Sequence, residues 1–243
     1  MSKHDITIDT ADGKAKGGIF KAAGGATAGV ILYMDAFGPR PALDTMAERL
    51  AASGYVVLVP DLFYRFGAYG PFDTKTAFSV PATREKIMGM IHGTPQAATE
   101  SDSRAFIDAL VSAGATGKIG VVGYCMGGGR ALTAAGAYGE RISAAASFHG
   151  GNLASEAPDS PHLKAPAIKG RVYVGSAGVD QSFPPEQSAK LDLALRTAGV
   201  DYTIENYIGM AHGWCVPDHG VFNATGAERH WKRMLEFFDE TLH

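Results

Sequence analysis

The amino-acid sequence predicts a single α/β domain, a mostly parallel central sheet with helices on both faces. Three observations carry that reading. Short apolar and β-branched runs alternate with helical patterns along the whole chain, as repeated βαβ units require. Several of the runs are apolar on both faces, the pattern of strands buried inside a parallel sheet. No linker-like stretch interrupts the alternation over 243 residues, and a composition of 46% hydrophobic and 19% charged residues suits one large core.

Residues 5–10 and 18–21 alternate apolar with polar around the turn signal Asp12-Gly13, which predicts an antiparallel pair at one edge. Continuous apolar runs at 30–34, 56–59, 119–122, 144–148, 172–174 and 202–208 then read as central strands. Helical spacing over 43–52, 101–113, 126–137 and 186–197 supplies the crossovers. Trp231, Met234, Leu235, Phe238 and Leu242 fall on one stripe, so a last helix packs on the sheet. The stretch from about 63 to 99 fits less well: it carries Gly67, Gly70, Pro71, Pro81, Gly93 and Pro95 and a short helical pattern only at 84–91. Within the one domain, 1–243, it reads as a lid or binding loop.

Charge narrows the function. Twenty-two Lys and Arg against 25 Asp and Glu give a net charge of −3 with no basic run, which argues against nucleic-acid or membrane partners. The start lacks a signal-peptide pattern and no stretch approaches the roughly 18 apolar residues of a spanning helix, so a soluble cytoplasmic protein is expected. Two cysteines, Cys125 and Cys215, make neither a disulfide framework nor a zinc site. With no metal-ligand spacing and no Gly-x-Gly-x-x-Gly after an early strand, no cofactor or metal is expected.

The chemistry centres on Ile119-Gly120-Val121-Val122-Gly123-Tyr124-Cys125-Met126-Gly127-Gly128. An apolar strand runs into Gly-x-Cys-x-Gly and on into a helical pattern, the nucleophile-elbow arrangement with Cys where Ser usually stands. The sharp turn strains the nucleophile's backbone, and glycines two residues to either side remove side chains that would collide across it. It also sets the thiol at a helix N-terminus, whose free N–H groups and dipole favour thiolate.

A thiol nucleophile needs a base, and the base an orienting acid, which this fold supplies in the order nucleophile, acid, histidine. Of the eight histidines, His162, His212 and His219 remain once terminal residues, those before or adjoining the elbow, and His230 in the last helix are set aside. His212 follows the 202–208 strand in Gly209-Met210-Ala211-His212-Gly213, the expected place of the base. Asp180 ends the loop after the preceding strand and is the expected acid.

Gly123-Tyr124-Cys125-Met126-Gly127-Gly128, Gly178-Val179-Asp180 followed by Pro184, and Ala211-His212-Gly213 resemble, in order and spacing, the motifs of the dienelactone hydrolase family. Pro60-Asp61-Leu62-Phe63 adds to a similarity spanning nearly the whole chain. The resemblance implies an α/β-hydrolase fold in which Cys125 attacks a carbonyl, His212 shuttles the proton and Asp180 holds the imidazole. It implies an oxyanion hole from the backbone N–H groups of Ala36 and Met126. It also places Asp35, where the family has Glu, near the thiol, and Arg84 near a substrate-binding arginine of the family. The family's arginine a few residues after the histidine has no counterpart in His212-Gly213-Trp214-Cys215-Val216. Phe37, Tyr124 and Trp214 read as pocket walls beside it, and Cys215 as a structural thiol.

The expected function is hydrolysis of small carboxylic esters or lactones through a thioester acyl-enzyme. Two alternatives stand beside it: a thioesterase or acyltransferase on the same triad, and a non-catalytic small-ligand-binding protein.

Overall fold

The computed structural model describes residues 2–22 and 24–243. Eight strands form one sheet in the order β1-β2-β4-β3-β5-β6-β7-β8. They are β1 (Ser2–Thr10), β2 (Gly13–Lys21), β3 (Gly29–Tyr33), β4 (Val56–Pro60), β5 (Ile119–Tyr124), β6 (Ile142–Phe148), β7 (Arg171–Val179) and β8 (Tyr202–Ala211). β1 and β2 form the expected antiparallel edge and β2 meets β4 antiparallel, while every other pairing is parallel. The helices are α1 (Pro41–Ala52), α2 (Pro81–His92), α3 (Gln96–Ser112), α4 (Met126–Ala137), α5 (Pro185–Thr197) and α6 (Ala224–Leu242).

Side-chain alternation along paired strands decides which face each helix covers. Gly29 on β3, opposite Ile119 in register, faces Leu110 of α3, whereas the next β5 residue, Gly120, faces Phe238 and Leu242 of α6. α4 packs beside α3, and α1 lies with α6 through Arg49, which bonds Glu228 and covers the Trp231 ring. Both faces are therefore closed, and β3, β4 and β5 are buried along their whole length.

Two spans differ from the sequence reading. The seventh strand was expected over three residues and runs over nine, because backbone pairing with β8 continues through Gly175 and Ser176 although the apolar side chains stop. The 63–99 stretch is more ordered than its Gly and Pro content suggests: it holds a 3-10 turn at Tyr64–Phe66, all of α2 and the start of α3, which leaves 67–80 as the irregular part. Among the described residues no helix is long and apolar enough to cross a membrane.

Candidate active site

The carboxyl ends of β3, β5, β6, β7 and β8 meet on one rim of the sheet, where open α/β folds place their ligands. At its centre Cys125 sits between β5 and α4 with φ 56° and ψ −121°, a conformation a non-glycine residue holds only when its surroundings force it. A Cβ on Gly123 would lie 1.8 Å from the Gly127 carbonyl oxygen, so the chain folds back on itself too closely for any side chain there. A Cβ on Gly127 would lie 2.4 Å from the Tyr33 carbonyl oxygen and 2.5 Å from that of Met34. That approach seats the residues after β3, including Ala36, against the start of α4. Among the described residues, neither the Ala36 nor the Met126 N–H has an acceptor.

His212 follows β8 and Asp180 follows β7, two neighbouring parallel strands whose ends project to the same rim. Nδ1 of His212 lies 2.7 Å from Oδ2 of Asp180, so the proton on Nδ1 is directed at the carboxylate. The other strong electrostatic influence on the ring is the Cys125 sulfur. Burial pulls the His212 pKa down, but the Cys125 sulfur and Asp180 outweigh it and lift the ring to about 10. Burial likewise pushes Asp180 up, yet its bonds from His212 and Ser182 hold it below the usual carboxylate range. Ser182 donates to Oδ1 of Asp180 twice, from its N–H at 2.8 Å and its hydroxyl at 2.6 Å, and so frees Oδ2 for the histidine.

Asp35 is fully buried behind this group and fully engaged. Arg40 clamps both of its oxygens, at 2.7 and 2.9 Å, and with its remaining donors grips Asp218 at 2.6 and 2.9 Å. His219 Nε2 lies 3.1 Å from Oδ2 of Asp35, and the Phe37 N–H donates to Oδ1. Burial would raise the Asp35 carboxyl, but His219 and Arg40 prevail and hold it low. The cation beside the carboxylate thus comes from five residues downstream of it, not from a position after His212.

The remaining expected site residues scatter. Phe37 packs edge-on to His219 and to Phe78 near the rim. Trp214 is fully buried against Tyr207 and His149, and its indole N–H has no partner. Tyr124, expected as a pocket wall, points instead into the core under α6: it is fully buried, stacks on Phe148 and hydrogen-bonds His230 at 2.9 Å. The reason is strand alternation, which turns the residue before Cys125 to the α6 face. Arg84 stands exposed on α2 and makes no ion pair among the described residues. Cys215 is buried, and burial pushes its thiol pKa well up.

Three residues at the site escaped the sequence reading: Ser182, Arg40 and His149. Ser182 carries a local signal, since Asp-x-Ser is an Asx-turn pattern. His149 is the first residue beyond β6, on the ligand-bearing edge, but its place beside the elbow is a matter of strand order. A cleft of about 680 Å³ lies nearby, lined by Phe37, Arg40, Asp61, Tyr69 and Phe72 and by the β1–β2 hairpin. None of Cys125, Asp180 or His212 lines it.

Comparison with known proteins agrees with this architecture. The sequence profile of the dienelactone hydrolase family matches residues 18–242. A carboxymethylenebutenolidase of Rhodococcus opacus is 28% identical over 221 residues, covering 88% of this chain and 81% of the relative. A dienelactone hydrolase-like promiscuous phosphotriesterase from metagenomic libraries superposes with a TM-score of 0.80 at 25% identity, with all of both chains covered. The acylaminoacyl peptidase of Pyrococcus horikoshii, at 15% identity and TM-score 0.75 over 99% of this chain and 42% of its own, shares the fold.

Proposed function

The chain belongs to the dienelactone hydrolase family and is a hydrolase of carboxylic esters or lactones, and from that premise we propose that it works through a Cys125-His212-Asp180 triad and a thioester acyl-enzyme. One observation carries the reading: His212 is bonded to Asp180 at 2.7 Å through Nδ1, and the sulfur of the strained Cys125 is near enough to act on the same ring. Asp180 fixes the tautomer and stabilises the imidazolium, as in serine triads. The Cys125 sulfur attacks the substrate carbonyl, and the oxyanion that forms is met by the free N–H groups of Ala36 and Met126. Collapse breaks the C–O bond, His212 protonates the departing oxygen, and a thioester remains on Cys125. A water deprotonated by His212 then attacks the thioester and releases the acid and the thiolate. In this reading Phe37, with Phe78 of the 67–80 stretch against it, walls the substrate side.

Neutral substrates fit best. Arg40, the guanidinium nearest the site, already spends its donors on Asp35 and Asp218, and Arg84 faces solvent. A guanidinium bond to a substrate carboxylate is worth roughly 1.5–3 kcal/mol, so its absence favours uncharged esters and lactones by about tenfold or more. The test is a kcat/KM panel of p-nitrophenyl esters, enol lactones, thioesters and a phosphotriester, each lactone paired with a carboxylated analogue. Neutral esters or lactones should lead and show an acyl-enzyme burst. Preference for carboxylated lactones that Arg84→Ala removes would overturn the neutral-substrate reading, and thioesters in the lead would favour a thioesterase.

A further inference from the structure

We propose that His149 is a positioning residue for the nucleophile, its Nδ1 acting as the acceptor that holds the Cys125 amide and with it the strained elbow. The inference rests on reading Cys125 as the nucleophile. The Cys125 N–H is shared between the Phe148 carbonyl, at 3.2 Å, and Nδ1 of His149, at 3.1 Å. The first contact is the last rung of the β5–β6 ladder and would exist in any parallel pair. The second is a side-chain contact of this chain, and it defines the ring's chemistry. A nitrogen that accepts carries no proton, so the proton of the neutral ring is on Nε2.

The ring occupies its place at two costs. His149 has φ 40°, the left-handed region that non-glycine residues avoid, and its own N–H is tied to the Gly175 carbonyl at 2.9 Å. Its Nε2–H is buried without any acceptor. A side chain kept for packing alone would be better replaced by an apolar ring of the same size. The neighbours show what the imidazole serves: its centroid is 4.9 Å from that of His212, edge to face, and 5.4 Å from that of Trp214. His149 therefore touches the backbone of the nucleophile and the ring of the base together, and fixes their separation. Burial, reinforced by the charges of His212 and His219, keeps the ring neutral, which preserves the acceptor.

Two measurements test this. In the wild-type protein, ¹⁵N NMR of the histidine side chains should report His149 as the Nε2–H tautomer at neutral pH; an Nδ1–H tautomer or an imidazolium would overturn the proposal without any mutation. The second compares His149→Asn with His149→Gly, both of which tolerate the left-handed backbone. Asn places Oδ1 where Nδ1 stood and should keep kcat within about fivefold, whereas Gly lacks the acceptor and should lose about ten- to hundredfold in kcat with KM little changed, the scale of a misplaced reacting group. Alkylation of Cys125 by iodoacetamide should slow in the Gly variant only. Equal kcat in the two variants, whether high or low, would overturn the proposal. If the Gly variant does not fold, a large kcat loss in the Asn variant or the wrong tautomer decides against it. Full activity in Cys125→Ala would instead remove the nucleophile reading while leaving the tautomer result to stand.

Discussion

Two buried histidines lie on the two sides of the elbow strand, and they are held in opposite ways. His230, under α6, has both ring nitrogens engaged, Nε2 with the Tyr124 hydroxyl at 2.9 Å and Nδ1 with the Ala227 carbonyl at 3.3 Å, and it lies within a regular helix. His149, on the rim, has one nitrogen on the Cys125 amide, the other unpartnered, and a left-handed backbone. Burial keeps both rings neutral, pushing His230 down to about 3 and His149 well below its ordinary value. The same residue type thus serves as a satisfied core group in one place and as part of a strained polar cluster in the other. The core region is built to minimise free energy, and the rim carries strain that the core supports.

If that contrast holds, substitutions on the rim should cost rate, and substitutions in the core should cost stability. The largest loss of rate belongs to Cys125→Ala, which should lower kcat/KM by at least about 10⁴-fold in ester assays while urea unfolding stays near wild type. In the native protein iodoacetamide should label Cys125 before the buried Cys215. Next come the partners: Asp180→Asn should cost about 10²–10⁴-fold in kcat, with His212→Ala at least as damaging. A silent Asp180→Asn beside a damaging Asp218→Asn would move the acid elsewhere.

Arg40→Leu sharpens the comparison, because it acts on the boundary between the two regions. It strips a buried carboxylate of its cation, for which about 3–5 kcal/mol of stability should disappear, measured by denaturant titration. Tyr124→Phe should cost less, about 1–3 kcal/mol, by leaving His230 Nε2 without a partner, and kcat/KM should not change. An activity loss in Tyr124→Phe would break the division between rim and core.

Acid titration treats both regions alike. The folded pKa values of His149 and His230 lie below their unfolded values near 6.5, so the folded state binds fewer protons than the unfolded state in that window. Their contribution is complete above pH 6.5 and is lost as pH falls toward the folded values, at up to about 1.4 kcal/mol per pH unit for each ring. Replacing either ring by Asn should remove that ring's share of the slope in a stability series from pH 7 to 5.

Much of this molecule is dictated by local sequence. The strand runs, the amphipathic stripe of α6 and the glycines around Cys125 each report a constraint that acts within a few residues, namely side-chain periodicity or backbone collision, and such constraints leave a readable pattern. The order of Cys125, Asp180 and His212 is legible for a related reason, since each follows a strand and parallel strands deliver their ends to one rim. Tertiary structure alone decided the rest. Asp35 finds its second partner in His219, 184 residues away, and Tyr124 turns from the rim to the core because the pleat turns it. His149 reaches Cys125 across 24 residues because β6 lies beside β5. Contacts of this kind depend on strand order and on which face a side chain takes, and no spacing along the chain encodes them.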